Sequence, residues 1–266
     1  MTMSNFAGIL DEERRTSKRQ ALIIGAVLAV SLASLWITGF LDARRFAEGL
    51  PALGQLFSEM VPPDFERWRS WVRPLIDTLA MAIAGSVLAV AISLPLAFLA
   101  AKNTAPNAVV YQISRTILAL LRSVPEIIMG IIFVAAVGFG ALPGVLALGL
   151  HSVGMVGKFY SEAIEHVDPK PIEAARAAGA TNFQVITHAV LPQVLPQLAD
   201  ITIYRTEYHF RASTVLGIVG AGGIGFELMA ALRLINYDEV SAILLTILAC
   251  VIVVDALGAR LRKMLK

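Results

Sequence analysis

The sequence predicts an all-α integral membrane protein with about six transmembrane helices. Three observations predict it. Of 266 residues, 57% are hydrophobic and only 16% charged, where soluble domains run near a quarter charged. The mean hydropathy is +0.72. The apolar residues also fall in runs long enough to cross a hydrocarbon core, which takes roughly 20 residues of helix. A net charge of +2 is too small to suggest nucleic acid, and the basic residues gather at segment ends, a topology signal. The single cysteine, Cys250, lies in an apolar run and leaves no internal disulfide. His151, His166, His188 and His209 have no ligand spacing, so no metal site is expected.

Residues 1–20 read as a cytoplasmic N-terminal segment, with Arg14, Arg15, Lys18 and Arg19 preceding a first span at 21–40. A basic stretch before an apolar one also describes a signal peptide. This run is long, and no small-x-small cleavage site follows it before Leu41-Asp42-Ala43-Arg44, so an uncleaved span is expected. Residues 41–74 read as a periplasmic or interfacial segment ending in MVPPDFERWRSWVR, where two tryptophans beside arginines suit the headgroup level. The later spans fall near 75–101, 112–138, 145–161, 193–214 and 239–259. Lys102 and Pro106 mark one turn, and GFGALPG (138–144) makes a tight return. The chain ends ARLRKMLK, with four basic residues. Six crossings place both termini, and the polar stretch 162–190, on the cytoplasmic side.

That polar stretch interrupts a chain otherwise built for lipid. Asp168 can cap a helix whose first residue is Pro169, which lacks the donor that a helix start leaves unused. The helix runs through PIEAARAA and stops at Gly179, which tolerates a left-handed backbone. Thr181 and Gln184 have capping-box spacing, so a second helix starts there, with Phe183, Ile186 and Val190 on one side. Pro192 opens the fifth span. Two readings follow: an amphipathic pair lying on headgroups, or a docking surface whose alanines admit another body and whose Glu173 meets a basic partner.

Glu173-Ala174-Ala175, three residues, Gly179, nine residues, position 189, one residue, and Leu191-Pro192 resemble the EAA loop of ABC-importer permeases. Ala189 stands where that pattern has isoleucine. The resemblance implies a type I ABC-importer permease fold with cytoplasmic coupling helices (168–192), docking on an ATPase subunit through Glu173, Ala174, Ala175, Gly179, Ala189, Leu191 and Pro192. No G-x-x-x-x-G-K-[ST] loop occurs. No cofactor is therefore expected in this chain; ATP and Mg belong to the partner, and the chain itself is not an enzyme. GAGGIG (220–225) fits a dinucleotide fingerprint but lacks the strand–turn–helix setting that the fingerprint needs. Its glycines suit a tight or re-entrant turn.

Charges within spans are costly and face protein or water. Asp200, Tyr204, Glu207, Tyr208 and Arg211 recur at steps of three and four, so they share one helix face. Glu207 and Arg211 have the spacing of an intrahelical ion pair. Arg205 and His209 lie on a neighbouring face. RSVPE contributes Arg122, Ser123 and Glu126, and span two contributes Asp77. These charges either pair to hold helices in register or line a polar pathway through Arg122, Ser123, Glu126, Tyr204, Glu207, Tyr208, Arg211 and Ser213. In a pathway, the guanidinium groups would attract an oxyanion.

RSVPE, EAARAAGAT, VLPQVLPQ, the Glu-x-His-x-Arg-Ala-Ser run at 207–213 and VLGIVGAGGIGFEL make residues 75–262 similar to permeases for phosphonate and related phosphorus oxyanions. His209 departs from the asparagine associated with that subfamily. The resemblance implies a homodimeric core in a bacterial cytoplasmic membrane, with two ABC ATPase subunits and a periplasmic or lipid-anchored phosphonate-binding protein. A permease for another solute such as methionine shares the glycine-rich turn. An ion-coupled secondary transporter would show two pseudo-symmetric halves, and no internal repeat is evident. An intramembrane enzyme is disfavoured because H-E-x-x-H and G-x-S-x-G are both missing.

Overall fold

The structure is a computed structural model describing the backbone of residues 3–264 and the side chains of Glu13 and residues 15–264. The Arg14 side chain and Lys266, two of the basic groups flanking the first and last spans, lie outside the described residues. All regular structure among the described residues is helical, as the composition predicts. The chain divides into two compact units, Met1–Glu59 and Met60–Lys266.

The first unit holds α1 (Met3–Ile37) and α2 (Ala43–Glu59). The apolar part of α1, Arg15–Ile37, is long enough to span, and none of that window is buried within the protein. Residues 43–59 are helical where the sequence suggests only an interfacial segment. Asp42 starts the helix by accepting from the Arg44 and Arg45 amides at 3.1 and 3.4 Å. Phe46, Leu50, Leu53 and Phe57 recur at three- and four-residue steps and remain exposed. Such a one-sided helix suits the bilayer surface.

The second unit contains α3 (Trp68–Ala100), α4 (Ala108–Ser123), α5 (Glu126–Val137), α6 (Ala141–Glu165), α7 (Pro169–Ala177), α8 (Asn182–Val185), α9 (Leu191–Leu216), α10 (Ile224–Arg233) and α11 (Tyr237–Met264). A π-helical turn, Ile186–Val190, joins α8 to α9 without a break. With α1, helices α3, α6 and α11 make four that are long and apolar enough to cross a membrane. Two bent pairs raise the number to as many as six: α4 with α5, at 83°, and Asn182–Ala221 with α10, at 57°. The predicted third span is therefore a broken one.

The α3–α6 pair is the spine of this unit, with α4, α5 and α9 packed on α6. Small residues allow that closeness where no water-driven term operates between spans. At Gly154 of α6, a Cβ would overlap the α4 main chain at Leu118 and Arg122, so only glycine fits. One core gathers Val156, Tyr160 and Ile164 of α6 against Val185, Val190 and Val194. A second gathers Ile224, Leu228, Val240 and Ile243 around Trp71. Trp71 is thus a core residue, 1% exposed, and not a headgroup anchor; Trp68 stays 53% exposed. The second span accordingly begins at Trp68, earlier than expected.

Candidate functional site

The polar interruption folds as a pair of short helices built by local chemistry. The Asp168 carboxylate accepts from the Lys170 amide at 3.0 Å, with Pro169 at the first helical position. At the other end, the Gly179 amide donates to the Arg176 carbonyl and the Ala180 amide to the Ala175 carbonyl, both at 3.0 Å, with Gly179 at φ +82°. This crossed pair of bonds is a Schellman cap. Thr181 and Gln184 form the reciprocal capping box. Gln193 of α9 ties the start of α7 to the turn that follows α8: its Oε1 accepts from the Asp168 amide at 3.1 Å, and its Nε2 donates to the Ala189 carbonyl at 2.6 Å.

The inner side of the pair joins the core through Val185, Ala189 and Val190, with Ala175 and Leu191 partly buried beside them. Ala189 is therefore a packed small residue. Glu173, Ala174, Gly179 and Pro192 are exposed. Phe183 does not share a face with Val190: it is 75% exposed, whereas Val190 is 0% exposed. The π turn between them adds one residue, which rotates the two positions apart by about 100°.

A second polar assembly surrounds α9. Val124 and Pro125 break the third span, because proline lacks the amide and forces the preceding residue extended. The Val124 carbonyl accepts from His151 Nδ1 at 3.0 Å. Arg122 and Ser123 lie exposed at the break. Glu126 opens α5, and its Oε1 accepts from the Tyr208 hydroxyl at 2.7 Å. The Tyr208 ring lies 4.1 Å from the Arg205 guanidinium carbon. Tyr204, one turn earlier, is 56% exposed.

Arg205 is 7% exposed and His209 0% exposed. Their hydrogen bonds form a directed chain. Ser86 spends its proton on the Ala82 carbonyl at 2.7 Å, so its oxygen accepts from His209 Nδ1–H at 2.7 Å. His209 Nε2 is then an acceptor for the Ser152 hydroxyl, whose oxygen accepts from Arg205 Nε–H at 2.9 Å. Neutral His209 with its proton on Nδ1 satisfies every link. Two buried atoms of this assembly have no partner among the described residues: Arg205 Nη2 and Glu126 Oε2.

The remaining predicted pathway residues go elsewhere. Glu207 does not pair with Arg211. Arg262 of α11 donates to Glu207, and Arg211 donates to both oxygens of Asp255 at 2.9 and 3.1 Å. The face shared by Asp200, Glu207 and Arg211 meets an antiparallel neighbour with complementary charges, which the sequence of α9 alone does not reveal. Asp200 lies 4.0 Å from Arg262. Ser213 is buried and donates to the Phe210 carbonyl at 2.8 Å. Asp77 pairs with Arg73 one turn away. Arg205, left out of the polar face by its wheel angle, is the buried cation among the described residues. The sequence does carry one signal for it: Tyr208 and His209 lie three and four residues on, in reach of its side chain.

Residues 93–266 match the family described as the binding-protein-dependent transport system inner membrane component. The chain belongs to that family. It is a permease subunit of a bacterial ABC importer, a multi-pass protein of the inner membrane, and the secondary-transporter and enzyme readings fall away. The permease is 64% identical over 248 residues to the phosphite transport system permease protein PtxC of Stutzerimonas stutzeri, covering 93% of this chain and 90% of that one. It is 39% identical over 235 residues to the phosphate-import permease protein PhnE of Mycolicibacterium smegmatis, covering 88% of this chain and 44% of that one. Among solved structures, an inward-facing conformation of the MetNI methionine ABC transporter matches with a TM-score of 0.65 at 24% identity, over 74% of this chain and 96% of that one. That likeness establishes the type I permease fold.

Proposed function

We propose that this permease carries phosphite, phosphonate or a related phosphorus oxyanion into the cell. It works beside a second copy of itself, with two ATPase subunits on the cytoplasmic side and a periplasmic or lipid-anchored binding protein outside, and with both of its termini in the cytoplasm. The observation that carries this reading is the 64% identity, nearly end to end, with a phosphite permease. The exposed face of the helix pair at 168–192 supports an ATPase-docking role for Glu173, Ala174, Gly179 and Pro192, while Ala175, Ala189 and Leu191 serve that role from beneath by packing the pair on the core. The chain contains no phosphate-binding P-loop of its own, so nucleotide hydrolysis falls to the partner. Of the predicted pathway, Arg122, Ser123 and Glu126 are favoured by their position at the broken span, Tyr208 by its bond to Glu126, and Tyr204 by its exposure one turn before Tyr208. Glu207, Arg211 and Ser213 fit better as residues that hold helices together. The test is uptake of radiolabelled phosphite, phosphate and methylphosphonate into proteoliposomes carrying the whole transporter. Accumulation that requires ATP and the binding protein supports the reading. Uptake that persists without the ATPase subunit, or an absence of uptake of all three anions, overturns it.

A further inference from the structure

We infer that Arg205 and Glu126 form the two poles of an anion site within the permease, one that accepts a phosphorus oxyanion still carrying a P–OH group. The inference rests on the substrate class proposed above.

Burying an arginine is costly unless its donors are occupied. Here Nε is satisfied by Ser152 and one face by the Tyr208 ring, while Nη2 is buried and bare. The nearby carboxylate, Glu126, has one oxygen occupied by Tyr208 and the other also buried and bare. Opposite charges that each keep one buried atom unsatisfied would ordinarily close on each other. Tyr208 prevents this by standing against both: its ring packs on the guanidinium and its hydroxyl holds the carboxylate. The result is a cationic donor and an anionic acceptor kept apart at the break of the third span.

A ligand that satisfies both must offer an acceptor to Nη2 and a donor to Oε2. A fully deprotonated oxyanion offers only acceptors and is repelled by Glu126. A protonated monoanion of phosphite, phosphate or a phosphonate offers a P–O⁻ to the arginine and a P–OH to the carboxylate. Ser152, His209 and Ser86 act as positioning residues, locking the guanidinium so that Nη2 stays free.

The test uses the complete transporter in proteoliposomes, with phosphite uptake and binding-protein-stimulated ATP hydrolysis followed together. Arg205→Gln and Glu126→Gln should each lower the maximal rate of phosphite uptake by about tenfold or more, with stimulated hydrolysis within about twofold of the parent. Arg205→Lys should recover part of the loss. Glu126→Gln keeps size, shape and the Tyr208 acceptor, so it decides alone if Arg205→Gln fails to assemble. Parental uptake in either assembled Gln variant overturns the site and leaves the proposed function standing. If the unsubstituted transporter moves no phosphorus oxyanion, the proposed function fails and the site fails with it.

Discussion

Arg262, near the end of α11, donates its Nη1 to Oε1 of Glu207, 55 positions earlier and buried in α9. The Arg211–Asp255 pair lies further along the same two antiparallel helices. Together they fasten the last helix to α9, which follows the short α7–α8 pair. Arg262→Ala should strand the Glu207 carboxylate, at a cost of about 3 kcal/mol, the low end for a broken buried pair because Arg262 keeps some exposure. The double change Glu207→Gln with Arg262→Met should cost less than the single one. Thermal unfolding in detergent checks both, and equal losses would contradict the pairing.

Glu173→Lys and Gly179→Pro should abolish capture of the ATPase subunit while leaving membrane insertion intact. The first reverses a charge on the exposed face of α7. The second places proline, whose φ is fixed near −65°, where the backbone needs φ +82°. Affinity purification of the complex from membranes reads the outcome. Undiminished ATPase recovery with both variants sinks the docking assignment.

Phe183 is 75% exposed at the start of the second short helix, where an aromatic ring can anchor a partner that docks on the pair. Phe183→Asp should weaken ATPase binding by about thirtyfold, the effect of losing one interface hot spot. It should leave the melting temperature of the isolated permease within about 2 °C of the parent, as expected of a surface position. A large drop in melting temperature would mean that the ring packs within the chain.

His209 bridges α3 and α6 through both ring nitrogens. His209→Asn is too short to reach Ser86 and Ser152 together, so one hydroxyl is left unpaired at a cost of about 1–3 kcal/mol. Because Ser152 holds Arg205, phosphite uptake should fall by a larger factor than the amount of folded transporter. Uptake that merely tracks folded protein would make His209 a packing residue alone.

The α7–α8 pair was largely legible in the sequence because its determinants are local. Asp168, Gly179, Thr181 and Gln184 each act on backbone groups within a few residues and make the bond their type suggests, and Pro169 takes the first helical position, where no donor is needed. The spans were legible from apolar length. What escaped depends on residues far apart in the chain. Glu207 looks equally suited to Arg211 one turn away and to Arg262 on another helix, and only packing decides. Trp71 beside arginines resembles an interfacial anchor until α10 and α11 close over it. The π turn at Ile186–Val190 has no sequence signature strong enough to read, yet it moves Phe183 to the outside.

That turn sits within a helix that runs without interruption from Asn182 past Arg205. The distance from Phe183 to Arg205 along the axis is on the order of 30 Å at 1.5 Å per residue. Continuous helix is stiff along its axis, so a tug on the short helices arrives at the buried guanidinium as a displacement of the same rod, with no loop to absorb the stroke. With the docking and anion sites proposed above, work done outside the bilayer would reach an ion inside it through a single lever, and the extra residue in its shank sets the angle at which the handle meets the arm.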